Sequence, residues 1–360
     1  MRKTISLAIV IIGFLFISAR LTQCESLVDI GNLSYSVGIV VDYSVPITAL
    51  LLDNDTVVSG SGAGIYIGTA DESQWRIVIG CRVPAPDWYP DCYRKEKAQS
   101  LISPEHLWWL PDSKQIVVYD GHCSLIMTLE GLGTKNVFAE IWRDTWDANY
   151  LHNASLCGKI LLGQKWIGDE NVILLQRTDD PGVHKKLSYR MPATQMEQSR
   201  SIGLGAPSFR PALNPKDSTI WVEVSGSDQI IVLDMKGRLI DSVPIVADDW
   251  IPPGKPKSRI SSKAVWREWV SRWTPTKTLQ YAEPCYLFLQ YRTGWQKFAS
   301  DSIPLHSTLV WKSDRKPIKL EIDHKWQLAG VQPDGRVIFG EYDVSGDSVN
   351  ISLHVTRIEP

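Results

Sequence analysis

The stretch Leu213–Val243, LNPKDSTIWVEVSGSDQIIVLDMKGRLIDSV, decides the fold. The polar turn NPKDS precedes the apolar run TIWVEV, and the small-residue turn SGSD separates that run from QIIVLD. Short runs of apolar and β-branched residues between such turns predict antiparallel strands. The order turn, strand, turn, strand therefore defines a unit to look for elsewhere in the chain.

The same unit recurs along the whole chain. Five polar turns that precede a strand-like run are separated by 58, 57, 48 and 117 residues, and they are marked by Asn54, Asp112, Asp169, Asp217 and Asp334. The last interval is about twice the others, and the segment Tyr281–Ile303 between them has two strand-like runs. Six copies of about 50 to 60 residues suit the four-stranded blades of a β-propeller.

Two of these turns resemble those of a known class of protein. The segments QPDGRVIFGEYD (residues 332–343) and LPDSKQIVVYD (residues 110–120) resemble the PDG-type turns of TolB-like and WD-repeat β-propellers. The resemblance lies at the level of the fold, since the Trp-Asp and Gly-His marks of strict WD repeats are absent. Repeat and resemblance together predict an all-β, six-bladed β-propeller of four-stranded antiparallel blades, formed by residues 35–360 as a single domain.

The two ends of the chain suggest how the ring closes. The final copy offers three strand-like runs before Pro360, whereas the run Tyr35–Val45 has no hairpin partner of its own. An unpaired edge exposes backbone donors and acceptors, so pairing the two ends satisfies both. We therefore expect Val37–Asp42 to pair with Val349–His354, so that an N-terminal strand completes the last blade.

The N-terminus has the pattern of an export signal. Arg2 and Lys3 precede the apolar run Ile5–Ala19, which is short for a membrane span. We expect residues 1–24 to be a signal peptide or an N-terminal membrane or lipid anchor, and residues 25–34 to be a short linker.

The sequence LTQC at the end of this segment resembles a bacterial lipobox. Leu21 and Cys24 are in place, although Gln23 stands where a small residue belongs. Cys24 is therefore a candidate for lipidation. The alternatives are ordinary cleavage near Ala19 or Cys24, and retention of the segment as a membrane anchor.

Export also makes disulfides available, because exported proteins meet an oxidising environment. Cys81 and Cys92 enclose a short loop with three prolines, CRVPAPDWYPDC, and are the candidate disulfide. No CxxC motif or Cys/His cluster indicates zinc. We predict no metal site and no cofactor.

One segment departs from the strand pattern. In SSKAVWREWVSRWTP, the residues Trp266, Trp269 and Trp273 fall at helical spacing after the candidate cap Ser262. Their face either packs on the end of the propeller or forms an exposed surface for a partner or a membrane interface. These three tryptophans are the candidate binding residues.

Composition and motifs narrow the function. With 38 basic and 40 acidic residues the net charge is -2, which disfavours a nucleic-acid partner. The chain has no GxSxG, phosphate-binding or HExxH motif, and its seven histidines are scattered, so we assign no catalytic residue. Acidic pairs such as Asp248 and Asp249 fit solvated turns better than acid/base chemistry.

We therefore expect an exported binding or scaffold module for protein or glycan partners, located at the cell envelope or outside the cell. It would contact a membrane only through its N-terminal segment. The alternative is a propeller hydrolase or lyase acting on glycans or peptides through loops around the central channel. An enzyme should bring several acidic or histidine side chains with perturbed ionisation to the channel mouth, whereas a binder should show an aromatic or apolar rim.

Overall fold

The structure of this protein is a computed structural model. It describes residues 26–36, 47–52, 56–62, 64–69, 75–80, 104–110, 114–120, 125–130, 138–141, 152–167, 170–177, 184–187, 209–225, 227–251, 265, 276–282, 286–293, 305–312, 317–332, 334–345 and 348–359. Across these ranges no helix combines the length and the apolar character that a membrane crossing requires. Residues 1–24, with the predicted export signal and Cys24, lie outside them.

The described strands form six four-stranded antiparallel sheets. Sheet I contains β2 (Thr48–Leu51), β3 (Thr56–Ser61), β4 (Gly64–Thr69) and β5 (Arg76–Gly80); sheet II contains β6 (Pro104–Leu110), β7 (Gln115–Asp120), β8 (Leu125–Glu130) and β9 (Phe138–Ile141); sheet III contains β10 (His152–Cys157), β11 (Ile160–Ile167), β12 (Glu170–Arg177) and β13 (His184–Leu187). Sheet IV contains β14 (Phe209–Asn214), β15 (Thr219–Val224), β16 (Gln229–Asp234) and β17 (Leu239–Pro244); sheet V contains β18 (Thr276–Ala282), β19 (Tyr286–Thr293), β20 (Leu305–Trp311) and β21 (Pro317–Lys319); sheet VI contains β22 (Gln327–Val331), β23 (Arg336–Ser345), β24 (Ser348–Glu359) and β1 (Ser26–Ser36).

The sheets are arranged around a common axis. The first strand of each sheet contacts the first strand of the next, and β2 of sheet I contacts β22 of sheet VI. This is the arrangement of a β-propeller with four-stranded antiparallel blades. The opening stretch Leu213–Val243 supplies the end of β14 and nearly all of the other three strands of sheet IV, so it is a repeat unit and not an isolated hairpin.

The hydrophobic core lies between neighbouring sheets. One cluster joins sheets III and IV, for example through Leu162 and Ile220, and another joins sheets V and VI through Phe288 and Phe339. A middle strand is thus covered on both faces, which explains why every residue of β15, TIWVEV, is buried. Burial on both faces also explains the continuous apolar runs in the sequence. In a strand with one exposed face, apolar and polar residues would alternate.

The acidic turns that mark the repeat have a local cause. Asp217 and Asp334 each accept a hydrogen bond from the backbone N–H two residues ahead, at 3.2 Å from Thr219 and 3.1 Å from Arg336. The residue directly before the second strand has a positive φ, 54° at Ser218 and 83° at Gly335. An aspartate followed by a residue that tolerates the left-handed region forms a tight turn between the first and second strands.

The N-terminal strand closes the last sheet, as predicted, but with different residues. Strand β1 pairs antiparallel with β24 from Ser26 opposite Glu359 to Ser36 opposite Asn350. The predicted strand Val37–Asp42 lies outside the described residues, and the segment 350–354 pairs with residues 32–36. Most of the predicted linker at residues 25–34 is therefore strand. The glycine and polar residues of this segment fit an edge strand whose register shifts between Asp29 and Gly31.

Strand β1 also reaches into sheet I. The Tyr35 hydroxyl donates a hydrogen bond to Ser59 Oγ at 2.6 Å, and Ser59 donates to the Thr48 carbonyl at 3.2 Å. The Tyr35 ring stacks on Trp75 with centroids 4.3 Å apart and lies 5.0 Å from the Tyr66 ring. One residue of the closing strand thus connects two sheets by a buried hydrogen bond and by aromatic packing.

The first strands of sheets VI and I approach each other closely. The side-chain carbonyl of Gln327 accepts from Ile47 N at 3.2 Å, and that of Gln332 accepts from Leu51 N at 3.1 Å. A Cβ atom built on Gly330 would lie 2.1 Å from the Ala49 carbonyl oxygen. Position 330 therefore accepts only glycine unless the two backbones separate.

Removing residues 26–36 should destabilise the entire domain, because β24 loses one of its two neighbouring strands and Ser59 loses the hydrogen bond from Tyr35. We expect one cooperative thermal transition at a clearly lower temperature, followed by circular dichroism. A protein that lacks only residues 1–25 is the control and should keep the original midpoint. An unchanged midpoint after removal of β1 would show that the closing strand does not support the ring.

Gly330→Ala should lower the free energy of unfolding by about 1–3 kcal/mol, because the added methyl group must displace the Ala49 carbonyl. Gly31→Ala is a matched control in β1, since a Cβ atom there meets nothing within 4 Å. Denaturant titration of both variants tests the expectation. Equal stability of the two would mean that sheets VI and I are not in tight contact.

Candidate functional site

The central channel is lined by the first strands of all six sheets. Its described lining residues are Thr48, His106, Leu107, Trp108, Ser155, Leu156, Cys157, Ala212, Leu213, Gln280, Tyr281, Ala329, Gly330 and Val331. The space open to water-sized molecules is about 50 Å³. A water needs roughly 10–15 Å³ by this measure, so this part of the channel has room for a group of a few atoms.

One position is equivalent in every sheet, and in four of the six sheets it contacts the next sheet. It is the fifth residue of each second strand, which lies opposite a residue near the start of the first strand. In chain order these pairs are Gly60 with Thr48, Tyr119 with His106, Gln164 with His152, Glu223 with Arg210, Gln290 with Thr278, and Gly340 with Gln327.

At two of these positions a buried glutamine binds the next sheet. Gln164 accepts a hydrogen bond from Phe209 N at 2.8 Å, and Gln290 accepts from Leu328 N at 2.8 Å. Gln290 also donates to Thr308 Oγ1 at 2.9 Å. These bonds satisfy backbone N–H groups that the sheet-to-sheet packing removes from water.

At two other positions a glycine makes room for the next sheet. A Cβ atom on Gly60 would lie 2.8 Å from Pro104 in β6, and one on Gly340 would lie 2.6 Å from Ile47, directly before β2. In all four cases the contact is made near the start of the next sheet's first strand. The first strands therefore run in the same direction, and their starts lie at one end of the channel.

Sheet IV departs from this pattern by carrying charge. Glu223 is 2% exposed and accepts a hydrogen bond from Arg210 Nη1 at 2.9 Å. The pair crosses from β14 to β15 within one sheet. A buried ion pair is rarely the most stable solution for a core position, so this departure marks the site as a functional candidate.

His106 stands at the corresponding position of sheet II. Its ring lies parallel to that of Trp108 with centroids 5.4 Å apart, and 6.1 Å from that of Tyr119. Burial, and then the positive charge of Arg210, lower the pKa of His106 to about 4. The imidazole is therefore neutral at pH 7, with one N–H donor and one acceptor nitrogen.

The described channel lining contains apolar, aromatic and polar side chains. Within the described ranges no three His, Cys, Asp or Glu side chains are placed to hold a metal ion. The described lining is mainly apolar and aromatic, with His106, Ser155, Gln280 and Thr48 as polar groups and no carboxylate. The side chains predicted for function are not here: Trp266, Trp269, Trp273, Cys24, Cys81 and Cys92 all lie outside the described residues, although Val265 beside Trp266 is helical.

A second cluster fixes the segment that follows β17. Asp249 accepts hydrogen bonds from three strands of sheet V: from the Tyr291 hydroxyl at 2.6 Å, the Ser307 hydroxyl at 2.6 Å and the Lys319 ammonium at 2.8 Å. Trp250 packs edge-on against Tyr291, with centroids 5.0 Å apart. Asp249 is thus neither a solvated turn residue nor one of a pair of acid/base carboxylates.

Ionisation of this cluster follows from its contacts. Partial burial acts to raise the pKa of Asp249, but the bonds from Lys319, Ser307 and Tyr291 outweigh it and lower the pKa to about 2. Burial, and then the bond to Asp249, raise the pKa of Tyr291 well above its ordinary value. Asp249 is therefore charged and Tyr291 neutral throughout the physiological range.

Strand β17 and the segment held by Asp249 carry exposed apolar side chains. Leu239, Ile240, Val246 and Ile251 are 54%, 53%, 63% and 52% exposed. They account for four of the six large apolar side chains that are exposed within the described ranges, and they fall within thirteen consecutive residues. We call these four side chains the β17 surface.

Asp249→Asn should destabilise the domain by about 1–3 kcal/mol at pH 7, since an amide cannot replace the ion pair with Lys319. The pKa of Asp249 is lower when folded than the ordinary value of about 3.9, so the stabilisation is present above pH 4 and is lost as pH falls toward 2. Denaturant titrations at pH 7, 4 and 3 should show the difference shrinking below pH 4. Asp228→Asn, an exposed turn residue, is the control; a difference that is the same at pH 3 and 7 would contradict the network.

No protein-family model matches this chain, and no curated protein matches it. Solved structures do. A member of the DUF4221 family from Bacteroides vulgatus is 12% identical with a TM-score of 0.57, over 94% of this chain and 99% of its own. A candidate exported protein from Bacteroides fragilis is 10% identical with a TM-score of 0.50, over 94% and 98%. A gluconolactonase from Xanthomonas campestris is 10% identical with a TM-score of 0.47, over 91% and 90%. At these identities the likeness concerns the fold alone, and the chain is a β-propeller, as the resemblance of its turns implied.

Proposed function

We propose that this chain is an exported β-propeller of six blades that acts as a binding module for a protein partner, at the cell envelope or outside the cell. The six-blade count is supported by six sheets whose first strands contact one another in a closed series. Export is supported by the basic and apolar pattern of residues 1–24, which would be cleaved, lipidated at Cys24 or kept as an anchor. A disulfide between Cys81 and Cys92 would fit that compartment.

The observation that carries the binding role is the β17 surface. Large apolar side chains that cluster on a protein surface mark partner sites, whereas scattered ones are ordinary. Among the outermost strands whose exposure is described, β17 differs from its counterparts: β1 exposes small or polar residues, and the residues of β21 are half-buried. A protein with an apolar contact surface suits these side chains better than a glycan, whose hydroxyl groups require polar partners.

The partner contacts side chains and does not add a strand. The pairing of β16 with β17 shifts register between Val232 and Leu233, which leaves Ile240 as an extra residue. The Asp241 carboxylate accepts a hydrogen bond from Ser242 N at 2.8 Å, and Pro244 ends the strand. Bulges, prolines and local capping are the devices that protect sheet edges from pairing with other chains.

Asp249 supports binding by holding part of this surface in place. Val246 and Ile251 lie on either side of it in the sequence, and its three bonds to sheet V fix that segment before a partner arrives. A fixed surface avoids the entropy cost of ordering a loop on binding. The hydrolase or lyase alternative has one observation in its favour, the neutral His106 in the channel, which is a candidate proton acceptor.

A photo-crosslinking amino acid at position 240 or 246 tests the proposal in envelope fractions of the source cells. We expect a discrete protein adduct at both positions and none from a control probe at the exposed Lys325. Leu239→Asp in the probe-bearing protein should reduce the adduct at least about tenfold, because burying a carboxylate in an apolar contact is unfavourable.

Two outcomes would contradict the proposal. Identical adducts from the control position would mean that the β17 surface is not selective. Binding to a glycan array that is unaffected by Leu239→Asp would instead favour a glycan partner at another surface.

A further inference from the structure

Two nitrogen donors lie near one end of the channel, and the proposed protein-binding surface does not use them. His106 lines the channel, and Arg210 stands two residues before the lining residue Ala212 in β14. His106 and Arg210 stand at equivalent positions in sheets II and IV, near the start of their first strands. The same position carries Thr48, Thr278 and Gln327 in sheets I, V and VI, and a second histidine, His152, in sheet III. The repeat alone does not require either a histidine or an arginine there.

Arg210 has donor capacity to spare. A guanidinium has five N–H groups, and Glu223 accepts one of them. Within the described ranges the structure shows no acceptor for the others. The fork of an arginine matches the two oxygens of a carboxylate, which makes this group a better fit than a single-atom acceptor.

His106 supplies a second donor from sheet II. It is neutral at pH 7 and keeps one N–H group, and its ring is held beside Trp108 within the channel lining. Leu107 and Ala212 add apolar surface next to these groups. The channel surface is therefore partly polar and partly apolar. Such a combination is typical of a small-ligand site, because a low local dielectric strengthens each charged hydrogen bond.

We infer that the channel, at the end where His106 and Arg210 lie, binds the carboxylate of a small ligand. The channel space of about 50 Å³ fits this group, since it would hold only about three to five waters. Glu223 balances the charge of Arg210 and leaves the site neutral when empty. Such a site selects an anion by geometry and does not attract every anion by net charge.

Ligand-observed NMR titration of the full exported domain with acetate tests the site, with acetamide as the neutral analogue of the same shape. We expect acetate to bind with a Kd of about 1–10 mM, as befits four heavy atoms, and acetamide to bind at least about tenfold more weakly. N-acetylglycine and glucuronate then compare a peptide C-terminus with an acidic sugar as sources of the carboxylate.

The variant that tests the residues is the double substitution Arg210→Gln with Glu223→Gln, which leaves no unpaired charge buried. It should weaken acetate binding at least about tenfold, and His106→Leu should weaken it several-fold, with the thermal midpoint checking that each variant folds. The matched control is Arg238→Gln with Asp234→Asn, which removes an ion pair of the same kind from the exposed β16–β17 turn.

Equal affinities for acetate and acetamide would overturn the inference. An unchanged acetate affinity in the Arg210 and Glu223 double variant would also overturn it. An equal loss of acetate binding in the Arg238→Gln and Asp234→Asn control would also overturn it. The loss would then follow from removing any ion pair and not from removing this one. Absence of acetate binding up to about 50 mM would exclude the site, since even a minimal carboxylate ligand should be detected there.

Discussion

The structure depends on one pairing, that of β1 with β24. A ring of sheets has no free end only if its last sheet is completed, and β1 supplies the missing outer strand of sheet VI. Tyr35 then links that strand to Ser59 in sheet I, so the closing element bridges the two sheets that are farthest apart in sequence. The approach of Gly330 to Ala49 and the two glutamine bonds to Ile47 and Leu51 add to the same boundary. When sheets VI and I are joined, the six sheets form a closed series around the axis.

The sheet-to-sheet contacts show how a loose repeat specifies a ring. In four of the six sheets the fifth residue of the second strand meets the next sheet, and glycine and glutamine are two different solutions to that contact. Glycine allows close approach, whereas glutamine fills the space and satisfies a backbone N–H group. Because the solutions differ chemically, the repeat has no fixed motif at this position. In sheet IV the same position carries the Arg210–Glu223 ion pair, which places charge near the start of the first strand.

Much of the fold could be predicted from the sequence because it depends on local signals. The acidic turns at Asp217 and Asp334 are hydrogen-bonded within a few residues, and the buried strands between them are short apolar runs. The closing strand was predicted at the wrong residues because Gly31, Asn32 and the serines of β1 have low strand propensity, which an edge strand tolerates. The channel site was not predicted, since His106 and Arg210 are brought together only by the repeat register. Aligning the second strands on their fifth residue would have shown that Glu223 is charged where the other copies are not.

Closure by β1 also has a consequence for how the chain reaches its native state. Ser26 and Glu359 are 333 residues apart, and their pairing is a contact of very high sequence separation. Loop-closure entropy makes such contacts late and slow, so β1 waits until the last strand has been synthesised. Until β1 pairs, the edge of β24 is unpaired and the position that Tyr35 fills in sheet I is exposed. Both can bind other unfolded chains and promote aggregation. A protein built in this way needs protection during folding more than it needs further stability once the ring has closed.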